Sequence, residues 1–306
     1  MKTCVILNPW AGRGAAGQRR AELEAALQRA GVSFDLVTTY ARGGATELTF
    51  QAIERGYGQV VAVGGDGTIN EVVNGLLGSR ERLGRTAQLG IVSMGTGSDF
   101  IKVLDGVQPN DLDGAARRLA TGQVRAIDAA KISVSAGSQE LERYFINGLG
   151  TGIDAQVAVE SLKVTRLKGF AVYLVAVIRA LASYRPSPMV VRFDNREIRK
   201  RLLFASVANG RCQGGGFWMT PEALIDDGKL DLCIVERMRL DQIIRYLPRL
   251  MEGTHATLRQ VTMGQAQRVE ISSNTPIPVA TDGEVIATDA RLVVVEVLPG
   301  AIELVA

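Results

Sequence analysis

Asp66 stands inside a glycine turn, in Val60-Val61-Ala62-Val63-Gly64-Gly65-Asp66-Gly67-Thr68. A β-branched run ends at the glycines, and Ile69-Asn70-Glu71-Val72-Val73-Asn74-Gly75-Leu76 follows with helical spacing. Continuous apolar runs of this kind are parallel strands covered on both faces. Gly64, Gly65 and Gly67 permit positive φ and close approach of backbone to a ligand. The turn opens on a helix start, whose N–H groups and dipole favour an anion. Asp66 would repel a bare phosphate there, but carboxylate and phosphate coexist when Mg²⁺ bridges them. The spacing predicts a magnesium–nucleotide site; the alternative is a tight turn with no ligand.

Two further glycine loops follow apolar runs. Gly12-Arg13-Gly14-Ala15-Ala16-Gly17 matches the dinucleotide fingerprint after a first strand. That fold also wants an acid at the end of the second strand to hold the ribose. Here the second strand ends Val37-Thr38-Thr39-Tyr40, with no acid. The Gly-Lys-Ser/Thr of a Walker A loop is absent, as are the His-Arg-Asp and Asp-Phe-Gly of protein kinases. The other loop is Ser93-Met94-Gly95-Thr96-Gly97-Ser98-Asp99-Phe100. Asp99 there also reads as a helix N-cap.

These loops need elements to carry them. Residues 3–7, 34–38, 60–63 and 89–92 read as strands, and 16–30, 46–54, 68–77 and 111–121 as helices. The alternation predicts an α/β domain over 1–128 with a mostly parallel sheet. Ligands of such sheets sit beyond the carboxyl ends of the strands, where the loops after Leu7, Val63 and Val92 all fall. From 129 to 297 the pattern becomes antiparallel β-sandwich, with strands at 131–135, 143–147, 189–193, 202–209, 230–235, 268–271 and 291–297. Helical insertions read at 155–162, 170–183 and 241–251. Residues 298–306 are left to pack back onto the first domain. Asp227-Gly228 and Asp282-Gly283 read as hairpin turns.

The chain has 306 residues, 46% of them hydrophobic and 22% charged, which is an ordinary globular composition. A net charge of +3 argues against a dedicated nucleic-acid binder. Cys4, Cys212 and Cys233 lack metal spacing and read as buried thiols of a reducing compartment. The lone histidine, His255, reads as part of a surface loop and leaves no Ser-His-Asp hydrolase or His-rich metal site. No charged-then-apolar leader opens the chain. The apolar stretch from Phe170 to Ile178 falls short of the ~20 residues a spanning helix needs. With Lys163, Arg166 and Lys168 before it, it reads as a core helix or as one near a membrane surface.

The extended match from Gly64 through Gly75 resembles the nucleotide signature of the diacylglycerol-kinase catalytic family, which includes bacterial lipid kinases, sphingosine kinases and ceramide kinases. Its Gly-Gly-Asp-Gly core is also similar to that of NAD kinases and phosphofructokinases. The resemblance runs from Asn8 to Glu284 with motifs in the family's order, and it implies a NAD-kinase-like two-domain architecture. Asn8-Pro9-Trp10-Ala11-Gly12 resembles the family's first nucleotide loop. Thr39 lines up with a further nucleotide contact, and Gly65, Asp66, Gly67, Thr68, Asn70 and Glu71 with the signature itself. Gly95-Thr96-Gly97-Ser98-Asp99-Phe100 matches its third loop, with Ser98 in place of the family's Asn. By this resemblance Thr96 contacts nucleotide, and Asp99 shares a charged network with Asp66. Asp282-Gly283-Glu284 matches the family's active-site Asp-Gly-Glu, which makes Asp282 or Glu284 the base toward an acceptor hydroxyl. Asp227, with the carbonyls of Leu224 and Lys229, matches a second, structural Mg²⁺ site.

What the resemblance implies is an ATP- and Mg²⁺-dependent lipid kinase, phosphorylating a hydroxyl, foremost that of diacylglycerol to give phosphatidic acid. The alternatives are a NAD kinase-type phosphotransferase and a non-catalytic lipid or nucleotide sensor. The implied setting is cytoplasmic, with lipid presented at a membrane surface, peripheral contact with the inner membrane face, no nucleic acid, and room for a homodimer.

Overall fold

The computed structural model describes residues 1–95, 97–104, 106–164 and 170–306, with no side chain described at 170–174. The chain forms two compact units. Met1–Ile127 with Gly300–Ala306 make the first, and Asp128–Pro299 the second.

The first unit alternates strand and helix as the apolar runs require. Its elements are β1 (Thr3–Leu7), α1 (Ala15–Gln18), α2 (Arg20–Arg29), β2 (Phe34–Thr38), α3 (Gly44–Glu54), β3 (Gln59–Gly64), α4 (Asp66–Leu83), β4 (Gln88–Ser93), α5 (Leu112–Thr121) and the start of β5 (Val124–Ala136). β2, β1, β3 and β4 pair in that order, all parallel. The expected single helix over 16–30 is two helices. Arg19 leaves helical geometry (φ −92°, ψ 13°), and Gly17 presses against Pro9, whose carbonyl would lie 3.0 Å from any Cβ there. α4 outruns its expected end at residue 77 and stops at Leu83, where Gly84 supplies a left-handed cap. At the tail, Leu304 pairs with Leu89 in parallel.

In the second unit come β6 (Gln139–Phe145), β7 (Gly148–Gly152), α6 (Ile153–Ser161), α7 (Phe170–Ser183), β8 (Ser187–Phe193), β9 (Arg196–Ala208), β10 (Leu230–Glu236), α8 (Leu240–Met251), β11 (Val261–Ala266), β12 (Arg268–Thr281) and β13 (Glu284–Val305). The pairings are antiparallel. The period of two sorts each strand's side chains between two cores. Leu232 and Ile234 face the sandwich interior, while Cys233 and Val235 face a second core with Ala176, Ala180 and Phe217. His255 does not lie in a surface loop. It is buried against this second layer, with Nε2 3.1 Å from the Met219 carbonyl and 3.5 Å from Cys233 Sγ. Burial holds its pKa below the ordinary histidine value. All three cysteines are buried.

Among the described residues, no helix is long and apolar enough to cross a membrane.

Gly75 marks where α4 crosses α3. A Cβ there would lie 2.5 Å from Thr49 Cβ and 2.9 Å from the Thr46 carbonyl. An alanine gains up to about 1 kcal/mol of helix propensity, but overpacking against backbone costs about 1–3 kcal/mol. Gly75→Ala is therefore expected to be net destabilising, read as a lower denaturation midpoint with an unchanged m-value.

Candidate active site

Four loops leave the carboxyl ends of β1, β2, β3 and β4, and named contacts tie them together. Asn8 Nδ2 donates to Thr68 Oγ1 at 2.9 Å, joining the first loop to the start of α4. The Asn8 backbone N–H reaches the Val63 carbonyl at 2.9 Å, and Asn8 Oδ1 accepts from the Trp10 N–H. Gly12 is left-handed (φ 58°), and a Cβ on it would lie 2.6 Å from the Met94 carbonyl. A Cβ on Gly95 would lie 2.5 Å from Gly65 Cα. None of Gly64, Gly65 and Gly67 takes positive φ. The bareness of Gly64 and Gly65 serves close packing within the chain: a Cβ on Gly64 would strike Thr68 Oγ1 at 2.4 Å, and one on Gly65 would lie 3.2 Å from Gly95 Cα.

The acids of the signature act as tethers for backbone. Asp66 accepts N–H bonds from Asp99 (3.1 Å) and Phe100 (3.2 Å), fixing the third loop. Glu71 accepts from Gly43 (2.8 Å) and Ala45 (2.9 Å), capping α3 and fixing the loop that carries Thr39. Thr39 is buried, and its N–H bonds the Leu7 carbonyl. Asn70 is buried as well, and its Oδ1 accepts from Asn74 Nδ2. Thr96 lies outside the described residues, as do Arg166 and Lys168.

Burial raises the pKa of Asp66 above the ordinary carboxylate value, and the charge of Asp99 raises it further. The two backbone donors and Lys102 pull the other way. Asp99 is itself buried and paired with Lys102 Nζ at 3.0 Å. Two neighbouring acids under such strain are what a divalent cation relieves.

In the second unit Asp282 and Gly283 form the two-residue turn between β12 and β13, both at positive φ (46° and 82°). Thr281 pairs with Glu284. The hairpin and the candidate site are thus the same object. The Asp282 carboxylate accepts three backbone N–H bonds, from Ile146 and Asn147 at 3.2 Å and Gly148 at 2.8 Å. Glu284 is half-buried one strand position on.

Two residues here escape motif reading. Asn147 donates to the Cys212 carbonyl, and Asn209 to the carbonyls of Asp128 and Ile146, all buried. The available signal was Asn-Gly at 147–148 and again at 209–210, each beside an apolar run.

The second half of the chain, residues 147–306, matches the family of the YegS C-terminal NAD kinase beta sandwich-like domain, and residues 2–132 match the diacylglycerol kinase catalytic domain. The chain belongs to the diacylglycerol kinase family. It is 28% identical over 281 residues to a diacylglycerol kinase of Bacillus subtilis (strain 168), covering 92% of this chain and 88% of that one. It is 29% identical over 287 residues to one of Staphylococcus haemolyticus (strain JCSC1435), covering 93% and 83%. The crystal structure of a Bacillus anthracis diacylglycerol kinase superposes with a TM-score of 0.72 at 22% identity, over 99% of this chain and 96% of that one. Yeast NADH kinase, solved with NADH, shares the fold alone, with a TM-score of 0.55 at 9% identity over 99% and 82%. As a member of this family the chain is a kinase.

The turn at 224–229 is not a hairpin. β10 follows it, but the strand that precedes and pairs with β10, β9, already ends at Ala208. The turn is held instead by Asp128, whose Oδ2 accepts from the Gly228 N–H at 2.7 Å and whose own N–H bonds the Ile225 carbonyl. Asp227 Oδ1 accepts from the Lys229 N–H, and Leu224 is exposed. Among the described residues no three His, Cys, Asp or Glu side chains group to hold a metal. A cation here would rest on one carboxylate, carbonyls and water, a hard-oxygen set that suits Mg²⁺.

Asp231 follows this turn. Burial raises its pKa to about 6, with the charges of Asp227 and Glu222 adding to the rise and a hydrogen bond from Gln265 opposing it. The folded state therefore binds this proton more tightly than the unfolded chain. Its contribution to stability is full below pH 3.8 and is lost as pH rises through about 6. Asp231→Asn is expected to flatten the fall in melting temperature across that window, measured by calorimetry at fixed ionic strength.

Proposed function

We propose that this kinase transfers the γ-phosphoryl group of Mg-ATP to the hydroxyl of a lipid, with diacylglycerol as acceptor and phosphatidic acid as product. The observation that carries the reading is the pair Asp66, half-buried in the glycine turn, and Asp99, buried beside it, in a chain related over 92% of its length to a protein named diacylglycerol kinase. Bound Mg-ATP would supply the transferable phosphoryl group and neutralise its charge. The chain's own part is positioning. The N–H groups at the start of α4, with Thr68, Thr39 and Thr96, would hold phosphates and sugar, and Asp66 and Asp99 would hold the metal-linked network. Asn8, Pro9 and Gly12 would shape the first loop of that site, and Asn70 and Glu71 would support it from behind.

On the acceptor side the backbone bonds of Asp282 guide the assignment. All three backbone donors on Asp282 would have to be given up, or weakened, for it to take a proton. Glu284 is therefore the base, and Asp282 the residue that positions its turn. The Asp227 turn, with the carbonyls of Leu224 and Lys229, is the proposed second Mg²⁺ site.

The test is a lipid panel with ATP, products read by mass spectrometry, on wild type and three variants. Asp66→Asn keeps the volume but turns an N–H₂ toward one of the two N–H donors. It should nearly abolish turnover and lower the melting temperature as the third loop loosens. Glu284→Gln should cut kcat by about 10²–10⁴ at unchanged melting temperature. Asp282→Asn should instead lower the melting temperature first. A kcat loss confined to Asp282→Asn, with stability intact, would reverse the two roles. No phosphorylated lipid from any acceptor would end the reading.

A further inference from the structure

Helix α8 has no buried residue, although its sequence is Leu240-Asp241-Gln242-Ile243-Ile244-Arg245-Tyr246-Leu247-Pro248-Arg249-Leu250-Met251. Ile243, Leu247 and Leu250 recur at helical spacing and pack on the second core of this unit. A different stripe, Leu240, Ile244 and Met251, faces outward, with 56%, 62% and 41% of these residues exposed. Among the described residues, five of the six large apolar residues exposed in this unit lie on α6, α7 or α8 or directly beside them: Leu162, Ile178 and the three just named. Scattered single exposures need no explanation, but a stripe on one helix does.

The pairing register puts a basic rim at the start of that helix. Ser187 pairs with Leu202 and Pro188 with Arg201, so Arg185, just ahead of β8, and Arg201, in the middle of β9, both lie at the starting end of β8. The Arg237 N–H bonds the Arg201 carbonyl, and the Glu236 N–H bonds the Gln260 carbonyl, which brings Arg237 and Arg259 to the same end. Arg185, Arg201, Arg237 and Arg259 are all exposed, and among the described residues none of the four is ion-paired. The two acids of this edge are already engaged, Glu236 by Lys200 and Asp241 by Arg239.

We propose that this end of the second unit is a docking surface for an anionic phospholipid bilayer. Leu240, Ile244 and Met251 enter the headgroup region, and the four arginines meet lipid phosphates. An amphipathic helix with a basic rim matches that boundary, where apolar burial and surface potential act together. A second copy of the chain fits poorly, because a two-fold contact would bring the unpaired arginines face to face. Nucleic acid would use the arginines and leave the stripe in water. The inference extends the lipid-kinase reading, on which it rests for the purpose of the contact.

The test uses the full chain with vesicles that contain neither diacylglycerol nor nucleotide. One set is phosphatidylcholine, and the other mixes phosphatidylcholine with phosphatidylglycerol. Wild type should sediment with the anionic set and be released by salt. Leu240→Ser with Ile244→Ser should weaken partition about ten-fold or more. Arg201→Gln with Arg237→Gln should weaken it about five-fold for each charge removed. All four side chains are exposed, so melting temperatures should hold; if the serine pair fails to fold, the arginine pair decides. No sedimentation of wild type would overturn the inference, as would binding indifferent to both variants. So would a solution dimer that Ile244→Ser dissociates. Binding without any lipid phosphorylation would sink the kinase reading alone. Phosphorylation of a short-chain, dispersed diacylglycerol without vesicle binding would sink this inference alone.

Discussion

Backbone touches backbone where Gly65 meets Gly95, and the organisation of the first unit depends on that contact. A Cβ on Gly95 would stand 2.5 Å from Gly65 Cα, closer than real atoms approach. The loops after β3 and β4 can therefore stack only while both positions are bare. Stacking brings the Asp99 and Phe100 N–H groups within reach of Asp66, and it lets Gly12 settle on the Met94 carbonyl. Interiors are packed too tightly for such loops to shift a few tenths of an ångström at no cost. One close approach thus orders three loops that the sheet topology merely delivers to the same edge.

The carboxylates carry the same logic into both units. Asp66, Glu71, Asp128 and Asp282 each accept backbone N–H bonds from a segment distant in sequence. Charge-assisted bonds of this kind are roughly twice as strong as neutral ones, and they are directional. They suit loops, which have no ladder of their own to hold them. An acid that tethers backbone is also an acid kept near its neighbours' charges, and that is how Asp66 comes to sit beside Asp99 with its pKa raised. The chain does not separate the groups that build the site from those that could act in it.

The parallel sheet was legible because its strands are short, unbroken β-branched runs buried on both faces, and the glycine loops stand out after them. The role of the signature glycines was not. A local reading assigns glycine to positive φ, whereas Gly64 answers to Thr68 and Gly65 to Gly95, partners that only the fold supplies. β7 was hidden for the same reason. Gly148-Leu149-Gly150-Thr151-Gly152 carries no strand pattern, yet Gln213, Asp154 and the Leu203 carbonyl fill the space where its Cβ atoms would be. His255 misled because a single histidine beside Gly253 carries no periodicity, and its burial is decided by Met219 and Cys233. Asp282-Gly283 was legible as a hairpin, but the three N–H bonds to its carboxylate come from residues 134 to 136 positions away.

Ser98, where this chain departs from the family pattern, can be understood on the same terms. It stands at φ 52°, in the left-handed region that asparagine tolerates and serine does not favour. The excursion costs a non-glycine residue about 1–2 kcal/mol. Asparagine lessens that cost through its local hydrogen bonding. Serine meets it differently: buried at 2% exposure, its hydroxyl lies 2.7 Å from the Ser93 hydroxyl at the end of β4. A buried hydrogen bond contributes about 1 kcal/mol, enough to offset most of the strain. The turn thus keeps its shape with a smaller residue because the strand beneath it offers a second hydroxyl. The two positions act as a pair, so replacing either one alone removes a partner from the other and leaves a buried hydroxyl unmatched.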